Sequence, residues 1–335
     1  MKRNTHEQGF SILEMLVAMS ITVGLTGTLF YFFKQSQDAF VVESARTQVN
    51  QNFRAALDLM ARDVQAAGAG IPLFLGPIAS KDGGGTDANP SLNPPDAMLM
   101  VFGNASFSPV AVKATSTYPA PTSASSTVYT DIPTTSFTPG NYILYTVAQP
   151  QMQAANLTDY AEFSLFNLPA TTAIASVSSS GTVIGNQLTP TTFSINPTGD
   201  TTYWNHTMTF PSSTSLRVVP LDEVVEYMVD TTSMELRRNR NRSGWVAVAR
   251  DIYNMQIRYQ IETFDDTTST YSSSWVDQVT QASTNNRALI RSVEITLFGR
   301  TQMAGSGDRQ GQRSISQTLE VSPRNLNLPG FAPNR

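Results

Sequence analysis

Few residues of this chain have the type and spacing that catalysis requires. The sequence contains no cysteine and two histidines, His6 and His206. It has no Ser–His–Asp set, zinc-ligand spacing or phosphate-binding loop. The acidic pairs at 222–223 and 265–266 lie in turn-like sequence, where carboxylates are usually solvated. We therefore expect no enzyme activity, no cofactor and no metal site.

One carboxylate, that of Glu14, lies where a charge needs a partner. Glu14 is the single charged residue in the apolar run 10–33. As a helix, the uncharged part of that run, 15–33, would be about 28 Å long, which matches a hydrocarbon core of roughly 30 Å. A carboxylate in a membrane helix costs about 2.5–3.5 kcal/mol at the bilayer centre and less towards its edge. Glu14 is therefore predicted either to pair with a cation or to reach the lipid–water boundary near the helix end.

The residues that flank the apolar run predict its orientation. Lys2 and Arg3 precede it, so the positive-inside bias places the N-terminus in the cytoplasm and the remainder of the chain outside it. A cleaved secretory signal would need small residues after a short apolar core, whereas bulky side chains occupy 29–33. The span is therefore predicted to remain in the membrane.

The sequence at residues 9–14, Gly-Phe-Ser-Ile-Leu-Glu, resembles the cleavage motif of the type IV prepilin family. The resemblance implies that a prepilin peptidase removes the leader 1–9 by cutting between Gly9 and Phe10, and that Phe10 is then N-methylated. It also implies that Glu14 neutralises the new N-terminal amine of a neighbouring subunit. Ile12 stands where leucine is commoner in the family. The implied partners are other pilin subunits, the peptidase and the inner membrane.

Residues 34–68 predict an amphipathic continuation of the membrane helix. Apolar residues recur there at three- and four-residue steps, and the Gly-Ala-Gly sequence at 68–70 indicates the end of the helix. The apolar stripe fits packing on a globular domain, and it fits a coiled-coil stalk about as well. Within the membrane span, two glycines in 24–28 weaken the helix. We hypothesise that this stretch loses helicity in a filament; ordinary tolerance of glycine is the alternative.

Residues 69–216 form an insert rich in Ser, Thr, Pro and Gly, a composition that favours short strands and irregular connections. The segment 81–95 has turn composition and no period. Asp82 and its polar neighbours could ligate calcium, but their spacing is not that of an EF-hand, so a solvated loop is favoured. The insert is either an adhesive or partner-binding surface or a connection between scaffold strands.

Residues 217–335 predict an antiparallel β region, because apolar and polar residues alternate within them. The stretches 234–259 and 288–301, together with 59–72 at the end of the predicted helix, resemble the minor pilins of the PilW group. The resemblance implies an α+β, pilin-like fold. In that fold a long N-terminal transmembrane and amphipathic helix packs on a mainly antiparallel β-sheet domain.

Four arginines, Arg237, Arg238, Arg240 and Arg242, form the one basic cluster. Such a cluster could contact the phosphates of DNA, but no stacking aromatic residues are interleaved with it. The net charge of −4 gives no general attraction for nucleic acid. A solvated hairpin is therefore favoured, and we expect no nucleic-acid partner.

These features favour a minor pilin, a structural subunit that takes part in the assembly or initiation of a type IV pilus. It would first be inserted in the inner membrane and then join the pilus outside the cell, with adhesion and twitching motility as the implied processes. Two alternatives remain. One is a minor pseudopilin of a type II secretion system, and the other is an anchored periplasmic adhesion or binding module that never polymerises.

Overall fold

A computed structural model describes the chain over residues 11–71, 77–84, 90–103, 110–111, 128–129, 142–147, 164–167, 175–179, 182–188, 191–192, 216–241, 243–265, 268, 270–279, 290–300 and 314–323. The chain divides into two compact units. The first contains residues 1–51 and 301–313, and the second contains residues 52–300 and 314–335.

A single long helix, α1, runs from Ile12 to Ala66. Its 55 residues correspond to about 82 Å at 1.5 Å per residue. The helix ends in a turn in which Gly68 and Gly70 have φ angles of 80° and 74°, the left-handed region that glycine adopts without a steric penalty. The predicted long helix and its glycine stop are therefore confirmed.

The end of α1 that belongs to the second unit carries a buried apolar stripe. Phe53, Ala56, Met60 and Val64 are all completely buried, and their spacing of three and four residues places them on one helix face. A methyl group added at Gly299 would lie 2.7 Å from Cζ of Phe53, so the phenyl ring packs directly on the glycine backbone. This part of the stripe is thus the helical side of a domain core, as the first of the two sequence interpretations expects.

The largest sheet of the second unit has nine strands. Its main path runs in the order β1-β2-β10-β5-β6-β9, while β3 and β11 also pair with β10, and β12 pairs with β11. The strands are β1 Ile78–Lys81, β2 Ala97–Gly103, β3 Val110–Ala111, β5 Tyr142–Val147, β6 Ser164–Asn167, β9 Thr191–Thr192, β10 Leu216–Asp230, β11 Glu235–Arg240 and β12 Trp245–Arg250.

Two smaller sheets complete the described strands. A four-stranded sheet has the order β14-β13-β15-β16, and a three-stranded sheet has the order β4-β8-β7. Their strands are β13 Ile252–Asp265, β14 Thr270–Val276, β15 Ile290–Arg300, β16 Ser314–Val321, β4 Val128–Tyr129, β7 Ala175–Ser179 and β8 Thr182–Leu188. A short 3₁₀ turn covers Pro90–Leu92.

The core of the second unit is centred on β2 and β10. Consecutive residues of β2, Met98 to Val101, are completely buried, which shows that both faces of this strand are covered. In β13 and β15, by contrast, buried and partly exposed residues alternate, as expected for a sheet with one solvated face. All described strand pairs are antiparallel. The chain is therefore an α+β protein, with one long N-terminal helix and antiparallel sheets.

Candidate functional site

The site that the sequence singles out lies at the start of α1, where the backbone needs a cap. The Ser11 hydroxyl accepts a hydrogen bond from the Leu13 amide at 3.3 Å, and the Ser11 carbonyl accepts one from the Met15 amide at 3.1 Å. Ser11 is therefore the N-cap, a position that serine favours because its hydroxyl satisfies a free amide of the first turn. The predicted cleavage residues Gly9 and Phe10 lie outside the described residues.

Glu14 lies in this first turn of α1, and its side chain is exposed. A carboxylate near a helix N-terminus interacts favourably with the helix dipole, which is worth about 0.3–1 kcal/mol. The surface around Glu14 is apolar: Leu13 is 75% exposed and Met15 is 63% exposed. A charge surrounded by apolar surface in this way gains most from an opposite charge delivered by whatever covers that surface.

The first half of α1 exposes apolar side chains on all sides. Its exposed large hydrophobic residues are Ile12, Leu13, Met15, Leu16, Val17, Met19, Ile21, Val23, Leu25, Leu29, Phe30, Tyr31, Phe32, Phe33, Phe40 and Val41. Among the described residues, one helix is long and apolar enough to cross a membrane, and it is this one. An exposed apolar surface this extensive is typical of a helix that lipid or other apolar helices cover.

The serine and threonine hydroxyls between residues 20 and 28 all donate to the helix backbone. Ser20 donates to the Val17 carbonyl at 2.8 Å, Thr22 to Ala18 at 2.8 Å, Thr26 to Thr22 at 2.7 Å and Thr28 to Leu25 at 2.8 Å. Each bond returns to the preceding turn of the helix, so the polar groups are satisfied internally. The helix continues through 24–28 in the isolated chain; its state in a filament stays a prediction.

The basic cluster is largely neutralised by carboxylates within the second unit. Arg237 contacts Asp230 at 2.9 Å and Glu235 at 3.0 Å, and Arg240 donates to Glu223 at 2.8 Å. Arg238 pairs with Asp63, as described below, and the side chain of Arg242 lies outside the described residues. Paired guanidinium groups have little free charge to offer a phosphate backbone, which favours the structural interpretation of the cluster.

A polar network that sequence reasoning missed joins the end of α1 to the hairpin of β10 and β11. The Tyr227 hydroxyl donates to Oδ2 of Asp63 at 2.6 Å, and Nε of Arg238 donates to the same oxygen at 2.9 Å. Arg238 also lies 3.7 Å from Glu223, and its guanidinium lies 6.0 Å from the centre of the Tyr227 ring. Burial and the Asp63 carboxylate together raise the pKa of Tyr227 well above its usual range, so the phenol remains a donor.

The structure assigns no metal site to the acidic residues that it describes. No group of three or more His, Cys, Asp or Glu side chains in the described ranges is placed to hold an ion. Oδ1 of Asp82 accepts a hydrogen bond from the Gly84 amide at 2.7 Å, a local turn contact. His206 lies outside the described residues.

Comparison with known proteins adds no relative to this picture. No protein-family model, no curated protein and no solved structure matches the chain. Any assignment of this protein to a functional class must therefore be argued from its own sequence and structure.

Proposed function

We propose that this chain is a minor pilin, a membrane-inserted subunit that joins a type IV pilus through its N-terminal helix. The observation that carries the proposal is a single carboxylate, Glu14, in the first turn of a long exposed apolar helix. In a helix that served only as an anchor, a charge inside the hydrocarbon would cost free energy with no partner to offset it. A role in pairing with an adjacent subunit explains why the charge is there.

Processing supplies the partner of this carboxylate. Cleavage between Gly9 and Phe10 creates an α-amino group at Phe10, and N-methylation leaves that nitrogen protonated at neutral pH. In the staggered bundle of a filament, the amine of one subunit lies beside Glu14 of the next. The attraction between the two charges is stronger in an apolar environment than in water. The pair also fixes the axial offset between two neighbouring helices whose other contacting side chains are apolar.

The remainder of the chain fits the same role. The end of α1 in the second unit packs in a domain core through Phe53 and Met60, so the helix is firmly attached to a folded domain. The first half of the helix presents apolar surface that either lipid or a helical bundle can cover. When the subunit moves from the inner membrane into a filament, the apolar side chains of this part of α1 therefore exchange contacts with lipid for contacts with other helices.

Two experiments test the proposal. Mass spectrometry of the N-terminal peptide from the native host should find an N-methylated Phe10; a chain that begins at Met1 would instead indicate an anchored module that never polymerises. Second, Glu14→Gln should insert and be cleaved normally but enter sheared filaments at least about tenfold less than wild type, which corresponds to about 1.4 kcal/mol.

A matched control separates pairing from a general effect of lost charge. Asp58→Asn removes a carboxylate from the same helix at a site where the side chain is 80% exposed and its contact with Arg62 is 4.0 Å long. Its incorporation should equal that of wild type. Equal incorporation of Glu14→Gln and Asp58→Asn would show that the proposed pairing is wrong.

A further inference from the structure

The sequence contains one Asp–Gly pair, formed by Asp82 and Gly83, and no Asn–Gly pair. An aspartate followed by glycine is prone to isomerise through its backbone, because glycine has no side chain to hinder attack by its own nitrogen on the preceding carboxyl group. In this chain the pair lies in the turn that follows β1, and residues 82–84 are partly exposed. Water can therefore reach this turn.

The reaction at such a pair rearranges the backbone without a net change in mass. A bond forms between the Gly83 nitrogen and Cγ of Asp82, and the bond from Cγ to one carboxyl oxygen breaks. That oxygen leaves as water, with the Gly83 amide proton and the carboxyl proton. A solvent water then opens the succinimide ring. Opening at the backbone carbonyl of Asp82 gives isoaspartate, in which the main chain runs through Cγ.

A buried carboxylate holds the Gly83 amide, the group that would have to attack. Its N–H donates to Oδ1 of Asp96 at 2.9 Å, and Asp96 is 5% exposed. Oδ2 of the same carboxylate accepts a hydrogen bond from the Ile257 amide at 2.7 Å, and the Asp96 amide donates to the Met255 carbonyl at 2.8 Å. Asp96 is thus attached to β13 at two points and gives Gly83 a fixed acceptor.

The charge of Asp96 opposes the first step of the reaction. The Gly83 nitrogen must lose its proton to attack. A carboxylate is too weak a base to remove a peptide proton, but its charge disfavours the amide anion, because two like charges would then lie 2.9 Å apart in a mostly buried site. The hydrogen bond to the charged acceptor also stabilises the protonated amide. Both effects keep the nitrogen unreactive.

The backbone around the pair is held as well. Lys81 pairs with Ala97 of β2, and a methyl group added at Gly83 would overlap the carbonyl oxygen of Pro94. Closure of the ring requires rotation about the bond between Cα and the carbonyl carbon of Asp82. That rotation would turn the Gly83 N–H away from its acceptor, so the reaction requires the turn to open first.

We propose that Asp82 and Gly83 form a site of backbone isomerisation, and that the hydrogen bond from Gly83 to Asp96 suppresses the reaction in the folded chain. Isoaspartate then forms when the turn opens, or before the chain folds. The additional backbone carbon displaces Gly83 from both Asp96 and the Pro94 carbonyl, so the modified turn no longer fits its native position. This site goes beyond the proposed function and does not depend on the role of the long helix.

Isoaspartate accumulation in the full chain tests the proposal. Wild-type chain is incubated at neutral pH in detergent micelles, and a second sample is kept unfolded in guanidinium chloride. Electron-transfer mass spectrometry of the digested samples distinguishes isoaspartate from aspartate at position 82. Isomerisation should be at least about tenfold slower in the folded sample, since it requires a local opening there. Equal rates, a faster rate in the folded sample, or no isoaspartate in the unfolded sample would overturn the proposal.

Two variants test the part that Asp96 plays. Asp96→Ala removes the acceptor and should raise the rate in the folded chain about tenfold, towards that of the unfolded chain, because a hydrogen bond to a charged group contributes about this factor. Asp277→Asn is the matched control: it removes a nearby carboxylate that contacts Arg258, and it should isomerise at the wild-type rate. A folded Asp96→Ala chain that reacts no faster than Asp277→Asn would contradict the role of Asp96. Circular dichroism checks that Asp96→Ala is folded, and the wild-type comparison remains decisive if it is not.

Discussion

Replacement of Tyr227 by phenylalanine tests how firmly the long helix is held to the sheet. The ring is completely buried, and its hydroxyl donates a 2.6 Å hydrogen bond to Asp63 of α1. Tyr227→Phe keeps the ring and its packing under Arg238 but removes the only donor that the tyrosine side chain supplies. A hydrogen bond to a charged acceptor is worth about 1.5–3 kcal/mol.

The expected loss lies at the lower end of this range. Asp63 keeps its bond from Nε of Arg238 at 2.9 Å, so the carboxylate is not left without a partner, and its side chain is 15% exposed. We therefore expect the free energy of unfolding to fall by about 1.5–2 kcal/mol in Tyr227→Phe. The measurement is urea unfolding of the full chain in detergent micelles, followed by the fluorescence of its three tryptophans, Trp204, Trp245 and Trp275, all of which belong to the second unit.

A double-mutant cycle with Asp63→Ala, which removes the acceptor of the Tyr227 hydroxyl, isolates the bond itself. The two single changes should be coupled by about 1 kcal/mol, because each removes the same interaction. Tyr253→Phe serves as the control, since this ring lies 4.4 Å below the Arg300 guanidinium and keeps that contact; it should change stability by less than about 0.5 kcal/mol. If Tyr227→Phe is no more destabilising than Tyr253→Phe, the reasoning about the network is wrong.

Two further substitutions probe the same unit. Gly299→Ala should lower the free energy of unfolding by about 1–3 kcal/mol, because the new methyl group overlaps Phe53. Gly24→Ala, where nothing lies within 4 Å, should not lower it, since alanine favours the helix more than glycine does. Equal losses in the two variants would contradict the packing argument. Arg238→Lys should lower the free energy of unfolding by about 1 kcal/mol in the same assay, because one ammonium group cannot reproduce the contacts to both Asp63 and Glu223. If this variant were as stable as wild type, the simultaneous contact with both carboxylates would not contribute to stability.

Much of the fold could be predicted because its signals are local. The length of the apolar run, the three- and four-residue spacing after it and the glycines at 68–70 define α1 within a few residues. Alternation of apolar and polar residues predicted strands such as β13 and β15 in the same way. In each case neighbours in sequence are neighbours in the element, so the sequence contains the whole pattern.

The ion pairs of the basic cluster could not be predicted from the local sequence pattern. Four arginines close in sequence look like free positive charge, but the partners of Arg238 are Glu223, 15 residues away, and Asp63, on a helix 175 positions earlier. Similarly, the bond between Asp63 and Tyr227 joins residues 164 positions apart. No spacing in the sequence relates such residues, since the fold alone brings them together.

The sequence by itself determined that the chain has an N-terminal helix long and apolar enough to cross a membrane, with one carboxylate near its start and antiparallel strands after it. Only the tertiary structure decided which charges are paired, and that Asp63 accepts hydrogen bonds from both Tyr227 and Arg238. The physical reason is that hydrophobic periodicity acts along the chain, whereas desolvation and ion pairing depend on the groups that folding places within a few ångströms. Glu14 could be recognised because its apolar neighbours are adjacent in sequence, and the role of Asp63 could not because its partners lie 164 and 175 positions away.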